Sequence, residues 1–437
     1  MKIPTSIYIS TAVLLAVLFC SCVTVKYDED ITNYGKQIAR LQKSIVDNPR
    51  NAGALRDLGV IYFQARQYQQ GKDLLKRSLD VDPDDPKALF YYGMTLEGEE
   101  NTQAALATYI RYTDVSSLSP YRPLMEGRYR ELSYRIVQLQ LQQLVADEER
   151  LGDAMSPTAV AVFPLTYQGT DKKYETLGFG LSEMIISDLG QVQKLKLVER
   201  IRLEALLSEL RFGATQKIDP TTAPRIGKLL AAGRIVGGTY TVTNDKVLRM
   251  DVSSWDVPKK KYPEPAGKSD DLENLFRLQK QIVFRIIGDI GITLTRAERE
   301  RIERVPTENL QAFILYSLGI ERESARDFQA AEVYYNQAVA LDPNFSQARS
   351  RAEVSGAMSV AGGSRDRALV AANIADPPPG PEGPAFDGSL VTQRLRKLDG
   401  TIGAEFFPGD ENRKGAEEAA RGGAAVIDLP QPPPPPR

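Results

Sequence analysis

The side chains that most often carry chemistry are scarce in this chain. It contains no histidine, and its two cysteines, Cys20 and Cys22, both stand near the N-terminus. Histidine-based triads and dyads, histidine-ligated metals, four-cysteine zinc clusters and a disulfide framework are therefore excluded. Enzymatic chemistry would need paired carboxylates, for which Glu183 and Asp188 are candidates. Their spacing of five residues places them on different faces of a helix, so we expect no catalytic site, no metal site and no cofactor.

Two further short patterns could bind a ligand or react. Gly178-x-Gly180 could form a phosphate-binding turn, but a lone glycine pair is a weak signal, and we interpret it as the start of a helix that enters the core. Glu199-Arg200 could suggest an active site, but an exposed ion pair or a charge at a helix start is the favoured interpretation. The sequence has neither the glycine-rich loop of nucleotide-binding proteins nor a calcium-binding loop.

The two cysteines follow an apolar run, Ile7 to Phe19, which is preceded by one lysine. This run is shorter than the ~20 residues that span a bilayer, and its length is typical of the apolar core of an export signal. The segment that ends at Cys22 resembles the lipobox of bacterial lipoproteins, in which a small residue precedes an acylated cysteine. Ser21 is small enough for that position, whereas acylation of Cys20 would place the bulky Phe19 there.

The lipoprotein resemblance implies a signal peptide over residues 1–21 and lipidation, including palmitate, of Cys22. Each buried lipid methylene contributes about 0.8 kcal/mol, so several acyl chains would hold the protein on the membrane. By the same resemblance, Val23 after the cysteine favours the periplasmic side of the outer membrane, or the outer face of the cell membrane if the source has one membrane. An uncleaved single-span anchor is the alternative.

Length and composition describe a protein that folds in water. The 437 residues suffice for several domains, and hydrophobic and charged fractions of 42% and 26% are close to globular averages. A formal net charge of −2, from 55 basic and 57 acidic residues, offers no long-range attraction to nucleic acid. The expected partners are therefore proteins and a membrane, and not DNA or RNA.

Residues 52–114 contain two helix pairs with an apolar pattern that repeats every 34 residues. The first unit places Leu55, Leu58, Gly59, Tyr62, Gly71, Leu75, Ser78 and Pro83, and the second places Leu89, Tyr92, Gly93, Leu96, Ala105, Tyr109 and Tyr112. This pattern resembles the tetratricopeptide repeat, in which small residues let two helices approach closely. We expect a helical domain over residues 22–150, with helices over Ile31 to Val46 and Met125 to Leu151 capping the pair.

A third unit lies far downstream, within residues 305–350. It repeats the same offsets with Leu318, Gly319, Ala331, Tyr335, Ala338 and Pro343. About three stacked units are needed to bury their faces, so this single unit must pack on the central domain or on the N-terminal pair. The concave face of such repeats commonly binds extended peptides, and we expect envelope proteins or peptides to bind in this groove.

The central residues 156–295 alternate between strand and helix patterns. AVAVFPL from Ala159 predicts a buried strand, and a helix, a second strand and a second helix follow it. After a third helix, a hairpin over Ile235 to Val257 turns at Asn244-Asp245, and an amphipathic helix ends the region. The predicted fold class is α+β multidomain, with a helical solenoid flanking an α/β sandwich.

Four blocks of this centre resemble the envelope domain of the CsgG family, named after the curli-secretion lipoprotein. They are VAVFPL, GFGLSEMIISDL, KLKLVERIRLEALLSEL and TAPRIGKLLAAGRIVGGTYT, in matching order and spacing. Lipoproteins that activate penicillin-binding proteins and flagellar outer-membrane lipoproteins share this domain type. The resemblance therefore implies a fold and an envelope location rather than one task, and it leaves homo-oligomerisation open.

One departure from the secretion pores bears on function. Pore-forming members insert two transmembrane β-hairpins per subunit, with strands of ~9–11 residues. Here the one hairpin is needed for the sheet, and PKKKYPEPAGKS after Val257 is too charged and proline-rich to cross a bilayer. The sequence therefore predicts a relative without a pore, and single-channel conductance of the pure protein would contradict this.

The C-terminal residues 355–437 are rich in proline and glycine and end in PQPPPPPR, which predicts a disordered tail. Two functions remain. The preferred one is a lipid-anchored, non-catalytic scaffold of the cell envelope that binds partner proteins through the repeats and the CsgG-like domain. The alternative is a subunit of a CsgG-type protein export ring in the outer membrane.

Overall fold

The computed structural model describes residues 34–150, 155–210, 221–263 and 265–376. Cys22 and the predicted signal peptide, which includes Cys20, lie outside these residues, as does the chain after Asp376. The described chain forms two compact units, which divide between Val115 and Ser116. No helix in the described ranges is both long and apolar enough to cross a membrane.

The first unit consists of five α-helices within residues 34–115. They are α1 (Gly35–Asp47), α2 (Ala52–Gln64), α3 (Tyr68–Val81), α4 (Pro86–Gly98) and α5 (Thr102–Tyr109), and a short 3-10 helix, Ile110–Asp114, follows. Helices α2 and α4 begin 34 residues apart, and so do α3 and α5, as the repeat predicts. Helix α1 packs on α2, which confirms the first capping helix.

Close contacts between the two helices of each repeat explain the small residues in the pattern. A Cβ added to Gly93 would lie 2.4 Å from the ring of Tyr109, and one added to Gly71 would lie 2.9 Å from the carbonyl oxygen of Gly59. The turn inside each pair places a non-glycine residue at positive φ, Arg66 at 60° and Glu100 at 59°. Side-chain volume at these glycines would force the paired helices apart.

The second unit, within residues 116–376, contains a six-stranded mixed sheet. The strands are β1 (Ser156–Val162), β2 (Thr166–Tyr167), β3 (Lys196–Leu197), β4 (Ala232–Thr243), β5 (Val247–Asp256) and β6 (Ala266–Asp271). The order is β3-β1-β4-β5-β6, with β2 beside β4. Strand β1 is parallel to both of its neighbours, β3 and β4. Strand β5 is antiparallel to both of its neighbours, β4 and β6. The predicted hairpin is confirmed, with Asn244 and Asp245 at φ 53° and 55° in its turn.

Ten helices of the described chain complete this unit. They are α6 (Tyr121–Ala146), α7 (Leu177–Leu189), α8 (Arg200–Glu209), α9 (Ala223–Leu229), α10 (Leu275–Ile290), α11 (Arg296–Glu303), α12 (Leu310–Ser324), α13 (Phe328–Leu341), α14 (Ser346–Ala361) and α15 (Arg365–Ala375). Alternate residues of β1 face opposite layers. Val160 and Val162 join the core of α7, α10 and α12. Ala161 and Phe163, which directly follows β1, join the core of α6, α8 and α9. The helices therefore cover both faces of the sheet.

The structure corrects the prediction of a disordered tail from residue 355. Residues 355–376 complete α14 and form α15, and Ala357, Ala361, Ala368 and Ala372 of these helices are buried. Helix α6 packs against both. At the contact a Cβ on Gly127 would lie 2.4 Å from the carbonyl oxygen of Ala357. Small side chains on each helix permit this approach, and burial of the alanine face stabilises the segment.

Helix α6 belongs to the second unit and not to the unit that holds the N-terminal repeats. Its fully buried Arg128 donates hydrogen bonds to the carbonyl oxygens of Ala361 and Gly363, at 3.1 and 3.0 Å. Arg326, in the turn between α12 and α13, lies 4.1 Å from the ring centroid of Tyr134 on α6. The N-terminal domain predicted for residues 22–150 therefore ends earlier, at Val115, because partners for α6 come from the C-terminal helices.

Candidate protein-interaction site

The C-terminal repeat consists of α12 and α13 and packs on the α/β domain. Phe313, Ser317, Ile320 and Ser324 occur every three or four residues along α12 and so share one face. That face lies against α7, where a Cβ added to Gly180 would be 2.1 Å from the Ser317 hydroxyl oxygen and 2.9 Å from the Phe313 ring. This face of the repeat is therefore covered by a helix of the same chain.

A charged cluster joins the repeat to the domain beside this contact. Arg351 of α14 binds Glu183 of α7 and donates bonds of 2.9 Å to both carboxylate oxygens of Glu323 on α12. Arg200 at the start of α8 lies 3.4 Å from Glu183 and 2.7 Å from Glu204. We call Glu183, Arg200, Glu204, Glu323 and Arg351 the junction cluster. Its side chains come from four helices, which are α7, α8, α12 and α14.

The surroundings of Glu323 keep this carboxylate of the junction cluster ionised. Burial raises the pKa of Glu323, but the charges of Arg351 and Arg200 outweigh burial and lower that pKa to about 2. Tyr335 of α13 adds a 2.5 Å hydrogen bond to the same carboxylate. Burial raises the pKa of Tyr316, which accepts a hydrogen bond from Arg351, to about 12. Each guanidinium group of the cluster thus lies between two carboxylates.

The two carboxylates weighed as a catalytic pair lie apart, as their spacing predicts. Glu183 belongs to the junction cluster, whereas Asp188 is buried beneath α10, with Lys280 Nζ at 2.7 Å and Gln279 Nε2 at 2.9 Å. Burial raises the pKa of Asp188, although Lys280 opposes this rise. Each carboxylate is held by cationic neighbours and not by the other.

The other two patterns from the sequence have structural roles. Gly178 lies in the first turn of α7, and its Cβ would be 2.0 Å from the carbonyl oxygen of Leu165, so this glycine permits close packing at the helix start. Arg200 is a charge at a helix start, which is one of the two interpretations of the sequence, but the alternative of an exposed pair is wrong. The Arg200 side chain is 17% exposed and also donates to Ser324 and to the Ile320 carbonyl. These partners lie 120 or more residues away in sequence and gave no local signal.

The N-terminal repeat pair presents a row of aromatic side chains. Tyr68, Phe63, Tyr91 and Phe90 follow one another, with ring centroids 5.4, 5.4 and 5.2 Å apart along the row. Phe63, Tyr91 and Phe90 are buried, while Tyr68 is 44% exposed. We call these four residues the aromatic row. It reaches solvent at Tyr68 and links both repeats of the first unit.

Comparison with known families agrees with this architecture. Residues 143–250, from within α6 to within β5, match the family model described as curli production assembly/transport component CsgG. Residues 314–345, which include most of α12 and all of α13, match a tetratricopeptide repeat model. The chain carries a CsgG domain and a tetratricopeptide repeat. Both resemblances found in the sequence are confirmed. No curated protein shows significant similarity to the chain.

The CsgG domain and the repeat point to a protein-interaction role connected with the bacterial envelope. The structure extends the matched region, because β6 and α10 lie beyond residue 250 and complete the sheet and the core. Sequence reasoning missed Glu323 and Arg351 as site residues. Glu323 is partly buried on α12, and Arg351 follows directly after the predicted C-terminal repeat, and neither position gave a sign that these two side chains would pair or that Arg351 would also bind Glu183.

Proposed function

We propose that the protein is a lipid-anchored, non-catalytic scaffold of the bacterial cell envelope, with the lipid on Cys22 and partner proteins bound by the N-terminal repeat pair. On the residues that carry the lipoprotein resemblance, the location is the periplasmic side of the outer membrane. The CsgG domain serves in this proposal as a folded body that the anchor holds at the membrane. Envelope proteins or peptides are the partners.

One observation supports this division of labour. The C-terminal repeat packs one face of α12 on α7 of the CsgG domain, through the Gly180 contact and the junction cluster. That face is therefore not available to a partner protein. The N-terminal pair forms a compact unit of its own, and its aromatic row has a solvent-exposed end at Tyr68. Exposed aromatic side chains next to buried ones are frequent anchors for partner proteins.

The absence of catalysis is part of the proposal and rests on the state of the acidic groups. Glu183 and Asp188 are held by arginine and lysine, respectively, within hydrogen-bond distance. A general acid or base must reach a substrate, and both carboxylates are instead engaged in ion pairs within the fold.

The test is a comparison of Tyr68→Ala with Val46→Ala in cells. Val46 on α1 is 78% exposed and lies outside the aromatic row, so it is a matched loss of an exposed apolar side chain. After crosslinking and affinity purification, we expect envelope proteins that co-purify with the wild type to co-purify with Val46→Ala. Their yield with Tyr68→Ala should fall about fivefold or more, as for loss of an aromatic anchor. Equal yields with both variants would contradict partner binding at this row.

A further inference from the structure

A groove lies between the CsgG domain and the C-terminal repeat, next to the junction cluster. Its cavity volume is about 260 Å³, and its walls come from β1, α7, α8 and α12. Apolar side chains dominate these walls: Val162, Phe179, Ile186, Leu203, Leu207 and Ile320. The groove has room for one long side chain, since an apolar cavity of about 150 Å³ already accepts benzene.

The charged side chains that line the groove are Glu183, Glu204 and Arg200, which gives one more negative than positive charge. Glu204 Oε1 accepts hydrogen bonds from Arg200 Nε at 2.7 Å and from the Ser324 hydroxyl at 2.8 Å. The structure shows no hydrogen bond to Glu204 Oε2 from the residues it describes, and the side chain is 31% exposed. The junction cluster contains three carboxylates and two guanidinium groups, which leaves one uncompensated negative charge.

This apolar groove is lined by a carboxylate oxygen, Glu204 Oε2, to which the described residues donate no hydrogen bond. Such a groove fits a long side chain with a cationic tip. The stem of lysine or arginine is apolar, and its head bears a positive charge with several hydrogen-bond donors. An anionic tip would meet Glu183 and Glu204, and a neutral tip would leave the excess negative charge of the junction cluster unchanged.

We propose that this groove binds the side chain of a lysine or arginine from an extended segment of a partner protein, with its stem against the apolar walls and its head on Glu204. This site lies in the second unit and depends neither on lipidation nor on the aromatic row. It therefore adds a second point of contact to the scaffold, and it stands or falls independently of the first.

The test uses three six-carbon probes on the full-length protein in lipid nanodiscs: hexylammonium, 1-hexanol and hexanoate. Calorimetric titration should give saturable binding of hexylammonium with a dissociation constant of about 1 mM, which is reasonable for so small a probe. We expect hexanol and hexanoate to bind at least about tenfold more weakly, because neither forms a charge-assisted bond to Glu204.

Two variants and a matched control assign the binding to the groove. Glu204→Gln keeps the shape of the side chain and removes its charge, and it should weaken hexylammonium binding about tenfold. Glu209→Gln removes an exposed carboxylate of the same helix outside the groove and should leave the affinity unchanged. Ser208→Trp, at an exposed position on the groove, should block all probes without disturbing the core.

Four results would overturn the proposal. They are the lack of saturable hexylammonium binding, equal affinity for hexanol, an unchanged affinity in Glu204→Gln, and binding that persists in Ser208→Trp. Because Ser208 is exposed, the last variant tests the site even if Glu204→Gln loosens the junction cluster. A given probe partitions equally into the nanodiscs of all variants, so this partitioning cancels when the variants are compared with the same probe.

Discussion

Single charged residues at the junction cluster decide how firmly the C-terminal repeat is held to the CsgG domain. Glu323 is 20% exposed and bonds to Arg351 and Tyr335, and Arg351 also binds Glu183. Desolvation opposes such pairs, so the cluster stabilises the fold only while every member keeps its partners. Removal of one member would leave an opposite charge partly buried and uncompensated.

Glu323→Gln tests this at the residue scale. The pKa of Glu323 is about 2 in the folded protein, below its ordinary value of 4.5, so the carboxylate stabilises the fold above pH 4.5 and loses this effect as the pH falls towards 2. At pH 7 we expect the variant to lose on the order of 2 kcal/mol of unfolding free energy. The loss should shrink below pH 4.5 in urea unfolding of the second unit.

The matched control is Glu303→Gln, which removes a carboxylate 55% exposed in a 3.8 Å surface pair with Arg299. Such pairs contribute about 0–1 kcal/mol, so this control should change little. A loss in Glu323→Gln that stays constant from pH 7 to pH 2 would show that the carboxylate charge is not what stabilises the junction.

Cys22 carries the other prediction at this scale. Cys22→Ser should abolish incorporation of labelled palmitate and move the protein from the membrane to the soluble fraction, since the lipid is the proposed anchor. Cys20→Ser is the control, because Cys20 leaves with the signal peptide under the lipobox resemblance. Labelled palmitate on Cys22→Ser, or loss of palmitate in Cys20→Ser but not in Cys22→Ser, would show that Cys22 is not the lipidated residue.

At the scale of helices and strands, close approaches at glycine determine which elements pack together. Gly180 brings α7 onto α12, and Gly127 brings α6 onto α14. The second contact explains why residues 355–376 fold, together with the hydrogen bond that the buried Arg128 of α6 donates to the end of α14. The average composition of residues 355–437 concealed the alanine-rich end of α14 and the alanine-rich α15, because the proline-rich stretches that follow dominate this average.

Gly127→Ala tests the α6–α14 contact. Its Cβ would lie 2.4 Å from a backbone oxygen of Ala357 and 2.8 Å from the Ala361 Cβ, so one helix must shift. We expect a loss of about 1–2 kcal/mol of unfolding free energy. Gly288→Ala in α10, where nothing lies within 4 Å, should instead gain up to about 1 kcal/mol. Chemical unfolding of both variants measures this, and a neutral Gly127→Ala would contradict the packing.

How far the sequence predicts an element depends on its apolar pattern. The repeats, β1, α7 and the β4–β5 hairpin have clear periodicity and were predicted correctly. Strand β6 was missed because Ala266–Asp271 is a polar edge strand, AGKSDD, which is held by backbone pairing to β5 and lacks an alternating pattern. The end of the N-terminal domain was misplaced because α6 could pack on either neighbour, and only the distant helices α14 and α15 decide between them.

At the scale of the molecule, the proposed function gives two uses to the helix-pair repeats of the chain. The C-terminal repeat is part of the second unit and shares its core with α7 and α10. The N-terminal pair has its own unit. A repeat that is already occupied within the chain adds rigidity, and a separate one adds binding capacity. This division is the physical basis for proposing a scaffold rather than a transport channel.

The native mass of the membrane-extracted, detergent-solubilised protein, measured by light scattering, tests the scaffold proposal most directly. A scaffold that binds partners through its own repeat pair needs no closed ring, so we predict a monomer or a dimer. A discrete particle of about eight or more copies would indicate closed cyclic symmetry. That result would contradict the scaffold proposal and favour a subunit of an export ring.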